Sequence, residues 1–186
     1  MPRRRIPLRM VLASTALALA AAGATYAVLG GADGSGASAG GSGELADVDL
    51  TDLTYQDLSG ATLSVTGSAG GRPMVVNFFA SWCVPCLDEM PAFQRVADEV
   101  GDDVRFLGLA VRDRPEDTRR MVAQVGVTYD VGRDVDTAVG LETGAVVRLP
   151  GTVLVDADGR VVARHLGQLD EDELRALLRD ELGIAA

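Results

Sequence analysis

The only two cysteines in this chain of 186 residues stand together, as Cys83-Val84-Pro85-Cys86. Whatever thiol chemistry the protein performs therefore happens at this pair. An apolar run over 74–80 leads into it, and after Cys86 the spacing turns helical, with Leu87, Met90, Phe93, Val96, Ala97 and Val100 on one face. The pair is expected at a strand-to-helix junction. A helix N-terminus offers unpaired N–H groups and about half a positive charge, which favour a thiolate over a thiol. Cys83, at the exposed start, is the expected nucleophile. Cys86, one turn in, is placed to attack a mixed disulfide and release product. The competing readings are a structural disulfide or half a zinc site. A zinc site needs about four ligands, and the chain has one histidine and no second cysteine pair, so no metal is expected and the disulfide itself is the only redox group.

The elements that must hold this pair come from about one domain's length of chain. At 47% apolar and 24% charged residues the composition supports a globular core. A formal charge of −10 argues against nucleic acid, whose phosphates need basic patches.

Residues 1–29 read as a signal peptide or N-terminal signal anchor. Arg3, Arg4, Arg5 and Arg9 form a basic start, and 10–29 carries no charge. At about 1.5 Å per residue this segment matches the roughly 30 Å of a bilayer's hydrocarbon core, and the arginines would keep the N-terminus in the cytoplasm. Ala22-Gly23-Ala24 offers a small-residue cleavage site, so a cleaved signal is the alternative to a retained tether. Both fates place the remainder outside the cytoplasm. Residues 30–43, GGADGSGASAGGSG, have nothing to bury and form a flexible linker of roughly 20 Å root-mean-square span. The folded domain is expected over 44–186.

Within it, 50–55 and 61–65 are short strand candidates joined by Asp57-Leu58-Ser59-Gly60. Strands are expected at Met74–Phe79 and 104–111, helices at Pro115–Val125 and 134–141. A hairpin over 152–155 and 160–166 turns at Asp156-Ala157-Asp158-Gly159, and a last helix opens on the capping box Asp170-x-x-Glu173 and stops at Gly183. This order implies an α/β fold with a central mixed sheet covered on both faces.

Trp82-Cys83-x-x-Cys86 at such a junction, with a proline about sixty residues later before a hairpin, resembles the thioredoxin fold. The longer run from Asn77-Phe78-Phe79-Ala80-Ser81-Trp82-Cys83 through Pro85-Cys86 to Glu89 and Pro91 resembles the TlpA/ResA-type thiol-disulfide oxidoreductases of the bacterial cell envelope. An N-terminal hairpin, a strand-helix insertion near 127–141, and Pro150-x-Thr152-x-Leu154-x-Asp156-x-x-Gly159 extend the likeness over about 50–182. Trp is more usual in that family where Phe79 stands, and Thr and Phe where Gly151 and Val153 stand.

The resemblance implies roles for particular residues. Glu89 matches a glutamate that lines a cavity at the active site; the competing reading is a solvated helix-surface carboxylate. Asn77 stands where thioredoxin has a buried Asp, and an amide cannot take that group's proton. Leu149-Pro150 is expected to be cis and to face the cysteines, with Trp82, Leu149 and Pro150 forming the substrate groove. His165 is expected on the surface or at a strand edge, and Pro91 to kink its helix.

The activity implied is reduction of disulfides in envelope proteins, including the haem-binding cysteines of apocytochrome c, with electrons from a membrane thiol carrier. A thiol oxidant or isomerase aiding disulfide formation, and a non-catalytic thioredoxin-fold binding module, are the alternatives.

Overall fold

A computed structural model of the chain describes residues 48–67 and 69–185. The expected signal or anchor over 1–29, the linker over 30–43 and the domain boundary at 44 lie outside the described residues. Among those described, no helix is long and apolar enough to cross a membrane.

Seven strands make one mixed sheet in the order β2-β1-β5-β4-β3-β6-β7. In chain order these are β1 (Thr54–Asp57), β2 (Thr62–Ser64), β3 (Met74–Phe79), β4 (Arg105–Val111), β5 (Asp130–Asp134), β6 (Gly151–Val155) and β7 (Val161–Leu166). The helices are α1 (Val84–Val100), α2 (Pro115–Val125), α3 (Ala138–Glu142) and α4 (Glu171–Leu182), with short 3-10 turns at Gly101–Asp103 and Ala145–Val147. β3, β4 and β5 run parallel, β6 is antiparallel to β3, and hairpins close both edges.

Strand alternation sorts β3 onto two layers. Val75 and Phe79 pack beneath α1, α2 and α4, against Phe93, Leu174, Met90 and Met121. Met74, Val76 and Phe78 face the other way, toward Leu50, Val65, Val139 and Ala145. All six residues of β3 are buried, as a strand covered on both faces requires. α1 runs unbroken through Pro91, and its apolar face packs against α2 and α4. Phe93 meets Phe106 edge-on at 6.4 Å, and α4 starts on the expected capping box of Asp170 and Glu173.

Two expected elements shift. Residue 50 is not in a strand: Leu50 is wholly buried and its N–H donates to Gly159 O, so the segment tucks under the β6–β7 turn and β1 begins at Thr54. The helix expected over 134–141 begins at Ala138, because Asp134 pairs with Val111 as the last residue of β5. The carboxylate of Asp134 then accepts from the N–H groups of Val139 and Gly140, capping the helix from outside it. Gly151 opens β6 where a Cβ would lie 2.1 Å from Ala145 O, so the 3-10 turn packs directly on the strand backbone.

Candidate active site

β3 delivers the chain to the site, and the loop that follows is clasped from the next strand. Asp113, just past β4, accepts from Ser81 N–H at 2.9 Å and Ser81 Oγ at 2.7 Å, and from Thr118 Oγ1 at 3.1 Å. Cys83 N–H donates to Ala80 O, and Cys83 is the N-cap of α1. No acidic residue stands in the first turn of α1, so nothing there neutralises the positive end of the helix. Cys83 and Cys86 are joined as a disulfide.

The two sulfurs are not equally placed. Cys86 is 0% exposed and Cys83 6%. A cavity of about 510 Å³ is lined by Cys83 but not by Cys86. Trp82, Val84 and Pro85 form its near wall; Val111, Arg112, Val146, Val147 and Leu149 complete it. Trp82 is 63% exposed, so its indole is a wall of the cavity rather than part of the core.

Glu89 lies one turn beyond Cys86 on α1 and is 1% exposed, which removes the solvated-surface reading. Its Oε1 accepts from Asn77 Nδ2 and its Oε2 from Leu169 N–H, each at 2.7 Å. Burial pushes the carboxyl up to about 7, against these two hydrogen bonds, which favour the charged form. Asn77 also donates to Thr152 Oγ1 at 3.4 Å, while its Oδ1 has no partner among the described residues. Tyr129, whose buried hydroxyl is likewise unpartnered, is pushed up by burial and then by the charge of Glu89.

The Leu149-Pro150 peptide is cis. Leu149, rather than Pro150, lines the cavity, and it packs on the cluster that contains both cysteines. Pro150 is buried, with its carbonyl accepting from Gly167 N–H. Leu149 N–H and C=O make no hydrogen bond to any described residue. His165 is half-buried on the edge strand β7, opposite Thr152. The sequence reading missed Val111, Arg112, Val146 and Val147 as cavity walls, and Asp113 as the clasp; nothing in their local pattern distinguishes them.

A Redoxin family model matches residues 45–178, most of the chain. The chain belongs to the Redoxin family. The mixed seven-stranded sheet flanked by helices is a thioredoxin-like α/β fold, the fold of the solved neighbours. A secreted Mycobacterium tuberculosis disulfide oxidoreductase superposes with a TM-score of 0.59 at 28% identity, covering 69% of this chain and 95% of that one. The DsbF structure from M. tuberculosis gives 0.61 at 28% identity, over 67% and 91%. In sequence this Redoxin-family chain is similar to the thiol:disulfide interchange protein HelX of Rhodobacter capsulatus, 35% identical over 103 residues, 55% of this chain and 56% of that protein. The thiol-disulfide oxidoreductase ResA of Bacillus cereus is 27% identical over 132 residues, 70% and 75% of the two chains. The alignments span only 56% and 51% of HelX and of CycY from Rhizobium leguminosarum, about half of each.

Proposed function

We propose that this Redoxin-family domain is an extracytoplasmic thiol-disulfide oxidoreductase that reduces disulfides in envelope proteins, apocytochrome c among them, and is tethered to the membrane by residues 10–29. The observation that carries the reading is the asymmetry of the pair: Cys83 lines the cavity at the N-terminus of α1, and Cys86 is sealed behind it. In the reduced form the Cys83 thiolate attacks one sulfur of a substrate disulfide, and the other leaves as a thiolate that takes up a proton. Cys86 then loses its proton and attacks the Cys83 sulfur. The substrate departs as a dithiol, and the Cys83–Cys86 disulfide is left. Two electrons and two protons from a dithiol carrier in the membrane restore the reduced enzyme.

Glu89 serves as the base for Cys86. Its raised pKa gives it comparable populations of both protonation states near neutral pH. Leu149, with free backbone groups beside the cavity, takes the substrate as an added strand. The secreted mycobacterial neighbour supports a location outside the cytoplasm.

The test is trapping. Cys86→Ser should accumulate a mixed disulfide with a disulfide-bearing peptide, visible by mass spectrometry, and Cys83→Ser should trap nothing. The reverse pattern would sink the assignment. A reduction potential near about −270 mV suits the reductive direction, and one near about −120 mV the oxidative alternative.

A further inference from the structure

The cavity beside Cys83 has apolar walls with one exception: among its lining residues only Arg112 is charged. The guanidinium has no ion-pair or hydrogen-bond partner among the described residues, whereas Arg72, Arg95, Arg105 and Arg175 each pair with a carboxylate. The carboxylate next to it in the chain is committed elsewhere. Asp113 Oδ1 accepts from Ser81 Oγ and Arg114 N–H, and Oδ2 from Ser81 N–H and Thr118 Oγ1. The backbone of Arg112 is also held in the left-handed region, at φ 51°, which residues with a side chain seldom adopt. β4 fixes it on one side and the Asp113–Ser81 clasp on the other, so the side chain departs from a fixed point beside the cysteine loop.

An exposed cation with no protein partner among the described residues, set on an otherwise apolar wall, is complementary to an anion flanked by apolar groups. We propose that Arg112 determines substrate specificity by receiving a carboxylate carried beside the substrate's disulfide. The preferred substrate segment then combines an acidic residue with apolar neighbours, despite the chain's net charge of −10. This deepens the oxidoreductase reading, on which the use of the groove rests.

Binding can be measured without the sulfur chemistry. Trp82 is the only tryptophan in the chain and lines the same cavity, so its fluorescence reports occupancy. The probes are two short peptides with apolar flanks and serine in place of both cysteines, one with Glu and the other with Gln at the adjoining position. The oxidised full-length protein should bind the Glu peptide up to about fivefold more tightly, the upper end for a solvent-accessible ion pair, and less selectively at high salt. Arg112→Gln should abolish the preference, and Arg112→Lys should keep part of it. Arg148→Gln should leave it intact; Arg148 is also exposed and lies between two lining residues but does not line the cavity. Equal binding of the two peptides, no binding of either, or a preference that survives Arg112→Gln would overturn the assignment. So would an equal loss in Arg148→Gln, which would reduce the effect to bulk charge. A shift in the pH profile of Cys83 alkylation in Arg112→Gln, with peptide preference unchanged, would instead place the cation on the thiolate and also overturn it. If the cystine versions fail to exchange while the serine versions are still discriminated, the oxidoreductase reading fails and only carboxylate recognition by Arg112 stands.

Discussion

Asn77 Nδ2 and Glu89 Oε1 lie 2.7 Å apart, so a strand amide and a helix carboxylate, both buried, share one hydrogen bond. The amide's other atom, Oδ1, is unpartnered among the described residues. An amide offers a donor on one side and an acceptor on the other, so a half-turn of Asn77 would let it accept from protonated Glu89 as it now donates to the ionised form. Asn77 cannot take a proton itself, yet it can serve both protonation states of a neighbour that does.

The raised pKa of Glu89 fixes a sign for stability. A carboxyl whose folded value, about 7, exceeds its unfolded value near 4.5 binds the extra proton in the folded state. Its contribution is fully present below the lower value and is lost as pH rises through the upper one. Stability of the oxidised protein should therefore fall between pH 5 and pH 8.5, by on the order of 2–3 kcal/mol from this group. Glu89→Gln should flatten that fall, because an amide does not titrate. Burial raises Asp134 in the same direction, so the difference between the two proteins in urea unfolding is the quantity to measure.

Resolution of a mixed disulfide tests the catalytic side of the same residue. With Glu89 as the base, the rate at which Cys86 displaces a thiol from Cys83 should rise as pH passes through about 7 in the wild type. In Glu89→Gln it should be slower and should respond only to the thiol's own ionisation. Identical profiles would leave Glu89 a buried structural carboxylate.

Asp113→Ala removes three acceptor contacts to Ser81 and Thr118 and leaves the Ser81 N–H unsatisfied. A loss of about 1–3 kcal/mol is expected, together with faster hydrogen exchange at the Ser81 amide. Asp113→Asn should recover part of both, since one amide oxygen still accepts.

Trp82→Ala separates binding from folding. A side chain 63% exposed contributes little to the core, so chemical denaturation followed by circular dichroism should change by less than about 0.5 kcal/mol. Peptide exchange should slow through weaker binding, because a wall of the cavity is lost. A large stability loss would make Trp82 a packing residue.

Where local pattern and tertiary structure agree, the sequence was legible. β3 and α2 fall on the expected residues because an apolar run broken only by Asn77 and a Pro-to-Gly helical frame each specify one element. The cysteine pair sits at the junction its spacing implied. Glu89 could be placed on the side of Cys86, but its burial depends on Leu169, eighty residues away, closing over it. The 134–141 segment reads as one short helix, and only pairing with β4 shows that Asp134 belongs to the sheet. Arg112 was invisible for the same reason: its isolation, its left-handed backbone and its place beside Cys83 arise from contacts with no local periodicity.

At Gly151 the deciding atom is one that is absent. Ala145 O occupies the place a Cβ would take, and the turn it belongs to carries Val146 and Val147 into the cavity wall. A chain with threonine at this place cannot keep the turn where it is. The width of the cavity beside Cys83 is thus set from the far side of its wall, by a residue that does not line it. Selectivity among such proteins can therefore diverge through a single backbone-facing position while the redox centre remains unchanged.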